Sequence, residues 1–160
     1  MKTLQKQLEK IVVNVGVGRM SQLPQFEEKL LPEVIKELSI MTGQRPAPRS
    51  VAQSIAGFKV RQGTTVGLKT TLRGNRMNEF LTKLVHIVLP RVRDFRGIKK
   101  SCVDDLGNLT IGLKDHLVFP EISPEHSKVN FGMQMTIVPR FHNREKAVAL
   151  YTKLGIIFTK

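Results

Sequence analysis

Arg73 and Arg76 flank Gly74 at an expected strand-to-helix junction. Guanidinium groups there suit bidentate phosphate contact beside the backbone donors of a helix N-terminus. Lys59, Arg61 and Lys69 alternate with apolar or small residues, so on a strand or ribbon they share one face. Asn14, Gln44, Thr70 and Thr71 add neutral donors suited to sugar and base edges. This is the chemistry of holding a polyanion rather than of turning over a substrate. Between Glu37 and Glu79 there is no acidic residue, while Arg45, Arg49, Lys59, Arg61, Lys69, Arg73 and Arg76 all fall there. The bias continues through Arg91, Arg93, Arg96, Lys99 and Lys100. Residues 38–103 carry a net charge of +11 and the stretches on either side +1 each, so the formal +13 is concentrated in the middle of the chain. A basic surface kept for solubility would scatter acids among its bases. A field of this kind attracts nucleic acid. Phe58 is the sole aromatic residue in 38–78, which disfavours base stacking on several exposed rings and favours recognition of the shape and backbone of folded RNA.

The alternatives from catalysis fail on spacing. Gly16-Val-Gly18 follows an expected strand, but Ser21 occupies the third glycine position of a dinucleotide loop and no helix follows at once. Gly63-Thr-Thr-Val-Gly67-Leu-Lys69-Thr70 has too few residues between its glycines for a phosphate loop and precedes a strand pattern. His86, His116, His126 and His142 have no metal-type spacing. Asp104 and Asp105 adjoin Gly107 and Asn108, the composition of a turn. No Ser has a base partner in sequence, and the lone Cys102 reads as a small, half-buried residue. No catalytic group, metal or cofactor is expected.

These residues need a scaffold to position them, and 160 residues with 41% hydrophobic content suffice for one domain over residues 1–160. The longest apolar stretches, Leu84–Leu89 and Ile156–Phe158, are far short of a membrane span, and no membrane partner is expected. A strand is predicted over about Glu9–Val15. Phe26, Leu30, Leu31, Val34, Ile35, Leu38 and Met41 predict a helix closed by Gly43, with Pro32 as a kink or as the start of its main part. Arg45–Arg49 is extended, Ser50–Val66 is a loop or loosely paired hairpin, and Val66–Leu72 is a strand. Asn75 is expected to cap a helix whose apolar face runs from Phe80 to Leu89, with Pro90 in its last turn or at a kink. A turn at Asp105–Asn108 leads into a strand over Leu109–Leu113, and a second strand alternates from Val129 to Ile137. Asn143 then caps a helix with Ala147, Leu150, Tyr151 and Leu154 inside, stopped by Gly155. The fold class is α+β, a single domain with a largely antiparallel sheet packed against about three helices.

Six ordered blocks also carry a family resemblance: Ile11–Gly18, Thr42–Pro46, Ala56–Gly63, Thr71–Met77, Pro90–Gly97 and Phe119–Ile122. Together they resemble the bacterial and organellar large-subunit ribosomal protein number five family. The resemblance implies a structural constituent that binds 5S rRNA in the central protuberance, beside other large-subunit rRNA. It further implies a loop approaching peptidyl-site tRNA and a surface bridging to a protein of the small-subunit head, in the ribosome of a bacterium or an organelle. By motif, Asn14, Gln44, Thr71 and Arg73 fall on the rRNA-binding face, joined by Arg45, Lys69 and Arg76 of the basic segment. Gly57, Phe58, Lys59, Arg61, Gln62 and Gly63 fall in the tRNA-facing loop.

The chain departs from the family pattern in several places. It starts close to the first strand, where the family carries a helical extension, which implies a reduced form or a trimmed sequence. Ser50-Val-Ala-Gln53 is neutral where the family is basic. A few extra residues occur within Gly18–Leu30, and Val138–Asn143 replaces a Thr-rich segment. The competing readings are a free-standing RNA-binding or RNA-chaperone module and, more distantly, a nucleotide-dependent enzyme.

Overall fold

The computed structural model describes residues 6–55, 57, 60–125 and 127–159. Phe58 and Lys59 of the expected tRNA-facing loop, with Ala56 and His126, lie outside the described residues.

Strand β1 covers Leu8–Gly16, where Leu8, Ile11, Val13 and Val15 are buried and Asn14 and Gly16 are exposed. The β-branched run packs well on a pleated surface, and its alternation makes one face wet and one dry. Helix α1 covers Leu31–Thr42 and is preceded by one π-helical stretch, Phe26–Leu30. Pro32 therefore starts the regular part of the helix, and Gly43 closes it in the left-handed conformation at φ 66°. Strand β2 covers Ala47–Ser50 and β3 covers Thr65–Leu72. Helix α2 covers Gly74–Lys83 and continues through a π-helical stretch, Leu84–Val88, into a last turn at Leu89–Arg91. Both π stretches come just before a proline, Pro32 and Pro90. A proline has no N–H to donate, and its ring crowds the carbonyl four residues back. Widening the preceding turn relieves that crowding without ending the helix. Strand β4 covers Leu109–Leu113, β5 covers Met133–Pro139, and helix α3 covers Arg144–Lys153.

The five strands form one sheet in the order β2-β3-β1-β5-β4, antiparallel at every junction. The dry face of the sheet and the apolar sides of the helices share one core, with Leu8, Ile11, Val13, Leu68, Leu72, Met135 and Ile137 from the sheet and Leu38, Leu84, Leu150 and Tyr151 from the helices. The α+β architecture with three principal helices thus matches the sequence reading.

Two boundaries differ from expectation. Helix α2 begins at Gly74, not after Asn75, and the capping position is Arg73, whose side chain makes no cap hydrogen bond. Gly74 turns the chain out of β3 at φ 59°, which brings the helix start forward by two residues. The second correction concerns Val129 and Phe131. They keep the alternating burial of a strand, yet ladder pairing starts only at Met133. Phe131 bonds instead to His116, whose N–H donates to the Phe131 carbonyl at 3.2 Å.

The Asn143 cap is as expected: its Oδ1 accepts from the Lys146 N–H at 2.9 Å. Asn143→Ala removes the acceptor for an otherwise orphaned helix donor and lowers stability by about 1 kcal/mol. Urea denaturation would register this as a lower midpoint with an unchanged slope.

Candidate nucleic-acid interface

The helices cover only one face of the sheet, and strand register fixes what the other face presents. Residues paired across antiparallel strands share a face. One row runs Ala47, Lys69, Asn14, Gln134 and Gly112 from β2 to β4. The next holds Thr71, Val12, Thr136 and Thr110. On the other side of the first row, Arg49 lies opposite Gly67, and Gly67 opposite Gly16. Lys10 and Val138 extend the face toward the start of β1. None of these open-face strand positions is a carboxylate. At the usual strand spacing the sheet is about 19 Å wide.

The face is low as well as basic. A Cβ added at Gly16 or Gly112 would meet nothing within 4 Å, so no neighbouring side chain rises over the backbone there. The Thr110 and Thr136 hydroxyls lie 3.4 Å apart across β4 and β5. One acid stands at a corner of the face: Glu9, exposed at the β1 bulge beside Lys10. Lys10 donates to the Glu9 carboxylate at 3.0 Å. That bond and the Lys10 charge, helped by Arg73 and Arg140, hold the Glu9 carboxyl below its ordinary pKa. Three cations thus act on this acid.

The structure brings most of the sequence-predicted residues together. Asn14, Lys69 and Thr71 stand on the face itself. Arg73 follows β3 with an extended backbone and is exposed, as is Arg76 in the first turn of α2. Arg45 is exposed just before β2. Gln44 has a structural task as well: its Nε2 donates to the Thr71 carbonyl at 3.3 Å. This closes the β3 edge where β2 has not yet begun and leaves the side-chain oxygen and one amide hydrogen for any other contact.

The described members of the expected tRNA-facing group, Gly57, Arg61, Gln62 and Gly63, lie beyond the ends of β2 and β3 rather than in the rows of this face. Val51 and Thr64 are joined by a 3.0 Å backbone bond, Gly63 N–H donates to Val51 at 3.0 Å, and Ile55 and Val60 exchange bonds of 3.1 and 3.3 Å. This is the loosely paired hairpin foreseen from sequence, extending the β2–β3 ribbon beyond the sheet. Gly57, Arg61, Gln62 and Gly63 are exposed on it, and Gln62 N–H donates to the Ser54 hydroxyl at 2.9 Å.

Sequence reasoning overlooked Lys10, Thr110, Gln134 and Thr136. Their alternation with buried neighbours was visible, but the partner strands that carry it onto the same face were not. It also counted Lys83 among the basic residues, whereas Lys83 donates to the Met41 carbonyl at 2.7 Å and pairs with Glu121. Asp104 is occupied by its turn, accepting from the backbone and side-chain nitrogens of Asn108 at 2.7 Å each.

Comparison with known proteins is consistent across the chain. Residues 65–158 match the family model for the C-terminus of the ribosomal L5 family, and residues 5–61 match that described as ribosomal protein L5. A large ribosomal subunit protein uL5 from Carboxydothermus hydrogenoformans is 44% identical over 153 residues, covering 96% of this chain and 83% of the relative. The uL5 of Oceanobacillus iheyensis is 46% identical over 153 residues with the same coverage. That of Lacticaseibacillus casei is 45% identical over 155 residues, again with 96% and 83% covered.

Proposed function

The chain belongs to the ribosomal protein L5 family, and from that premise we propose that its open sheet face is the surface that holds 5S rRNA in the central protuberance. The chain is a structural, non-enzymatic constituent of the large subunit of the bacterial cytoplasmic ribosome, an rRNA-binding protein that serves translation. The observation that carries the 5S rRNA reading is the five-stranded basic face whose cross-strand rows hold no carboxylate, with Glu9 at its corner beside Lys10. A surface about 19 Å wide, low and basic, suits the wide, shallow minor groove and flanking phosphates of A-form RNA. On this reading Lys69, Arg73, Arg76 and Arg45 contact phosphates, while Asn14, Thr71 and the free part of Gln44 contact sugars and base edges.

The Val51–Thr64 hairpin approaches peptidyl-site tRNA through Arg61, Lys59 and backbone groups of the Gly57–Gly63 loop. A further surface bridges to a protein of the small-subunit head. The whole chain serves as one RNA-binding unit, since β1 from the first family segment is paired on both sides with strands from the second.

The test is a salt titration. Five or six phosphate contacts give a log–log slope of about −4 to −5, so 5S rRNA affinity falls by about two to three orders of magnitude between ~50 and ~200 mM salt. A nearly flat response overturns the reading. Retention on large subunits through a moderate salt wash separates a ribosomal protein from a free-standing RNA chaperone.

A further inference from the structure

The two ends of the chain look electrically neutral in sequence, at +1 each. Folding changes that. Lys6, just ahead of β1, meets Arg140 at the end of β5 and Lys146 and Lys153 on α3 around an open cavity of about 580 Å³. Phe141 and Leu150 contribute to its lining. Lys146 and Lys153 are two helical turns apart and so share one flank of α3. Among the described residues none of the four cations lies within ion-pair distance of a carboxylate and the cavity lining contains none, although Arg140 is near enough to Glu9 to help lower its pKa. Arg140 is held in place: its backbone N–H donates to the Gln7 carbonyl at 2.9 Å and its Nε to the Leu8 carbonyl at 3.1 Å. The two terminal guanidinium nitrogens are left to face an incoming anion.

We propose that this cavity is a second RNA-backbone site, separate from the sheet face. Helix α3 packs on the covered side of the sheet, with Ala147, Leu150 and Tyr151 in the core, so the cavity opens at the end of the sheet and not on its open face. Phosphates fit the site better than a peptide does. The Arg140 N–H is already bonded, and the main-chain groups of α3 are used within the helix. Side-chain charge remains, and it reads phosphates without regard to sequence. The site goes beyond the 5S rRNA reading and stands without it.

The experiment saturates the full chain with 5S rRNA and then titrates a labelled short A-form RNA duplex. The expected result is ternary binding that weakens about tenfold or more in Lys146→Ala/Lys153→Ala, with a salt slope shallower by about two units. In that variant 5S rRNA affinity stays within about twofold of wild type. Lys146→Arg/Lys153→Arg retains duplex binding, which separates charge loss from misfolding. Unchanged duplex binding in the alanine variant overturns the proposal. So does an equal loss of 5S rRNA affinity, which would merge the two sites, or displacement of the duplex by polyglutamate more readily than by an equally charged RNA. Failure of wild type to bind 5S rRNA would instead sink the reading of the sheet face. The duplex titration on the free protein would then decide the cavity alone.

Discussion

If the open sheet face holds 5S rRNA as proposed, Lys69→Glu is expected to fold normally and to bind 5S rRNA about a hundredfold more weakly at ~100 mM salt. Lys69 stands in the central row of the open face, between Ala47 and Asn14. Its loss removes a charged contact worth about 1.5–3 kcal/mol. The carboxylate that replaces it confronts phosphates from the middle of rows that hold no other acid, and this repulsion carries the total to about 3 kcal/mol, or roughly 150-fold. The fold tolerates the change because Lys69 is half-buried on the wet side, and strand propensities differ by about 1 kcal/mol at most. Arg61→Glu is the matched control. The same charge reversal on the exposed hairpin should change isolated 5S rRNA affinity by less than about fivefold, a remnant of long-range field screened over about 10 Å. Fluorescence anisotropy with circular dichroism as a folding check would measure both. Equal losses for the two variants would contradict the division between face and hairpin.

The largest effect on stability belongs to Gly107→Ala. Gly107 is buried in the turn ahead of β4 at φ 86°. An added Cβ would approach Ala147 Cβ to 2.9 Å and the Asn143 carbonyl to 3.2 Å, and both belong to the start of α3. The left-handed conformation costs an L-residue about 1–2 kcal/mol, and overpacking adds about 1–3 kcal/mol. The Gly107 carbonyl also accepts the Tyr151 hydroxyl at 2.8 Å, so displacing the turn disturbs a buried hydrogen bond. A loss of about 3–4 kcal/mol lowers the melting temperature by about 6–16 °C. Gly43→Ala isolates the conformational part. Gly43 is also left-handed, at φ 66°, but its Cβ position is empty, and about 1 kcal/mol is expected. Denaturant midpoints for the two variants that fall within error of each other would show that the crowding at Ala147 is harmless.

What could be read from sequence was local. Strand β1, the Gly43 stop, the turn into β4 and the Asn143 cap each rest on residues a few positions apart. The long-range arrangement was not legible. Nothing local says that β1 lies between β3 and β5, so the row Lys69, Asn14, Gln134 could not be assembled, although every member was in view. His116 shows the same limit. It is buried against Phe131, with ring centroids 4.0 Å apart, and its Nε2 lies 3.0 Å from the Glu37 carboxylate and 3.1 Å from the Ser127 hydroxyl. No spacing rule joins residues 37, 116 and 127. The basic cavity failed to show for a related reason, because charge was counted along the chain while its cations come from both ends. Gln44 and Lys83 erred in the opposite sense: polar groups that look available in sequence were partly consumed by backbone carbonyls.

The position of β1 has a kinetic consequence. On the ribosome that synthesises it, the first strand emerges early and its β5 partner almost last. Pairing β1 with β3 becomes possible once about half the chain is out, but the other edge of β1 stays open until residues beyond Met133 arrive. Closing a loop of that length costs entropy before any contact repays it, and non-local pairing is slow. An unpaired Ile-Val-Val edge exposed for that interval invites association with other chains. A holding chaperone or an early RNA ligand would each shield that edge. If RNA serves, the two-strand ribbon already presents Asn14, Lys69 and Thr71, so RNA capture can begin before translation of the protein ends.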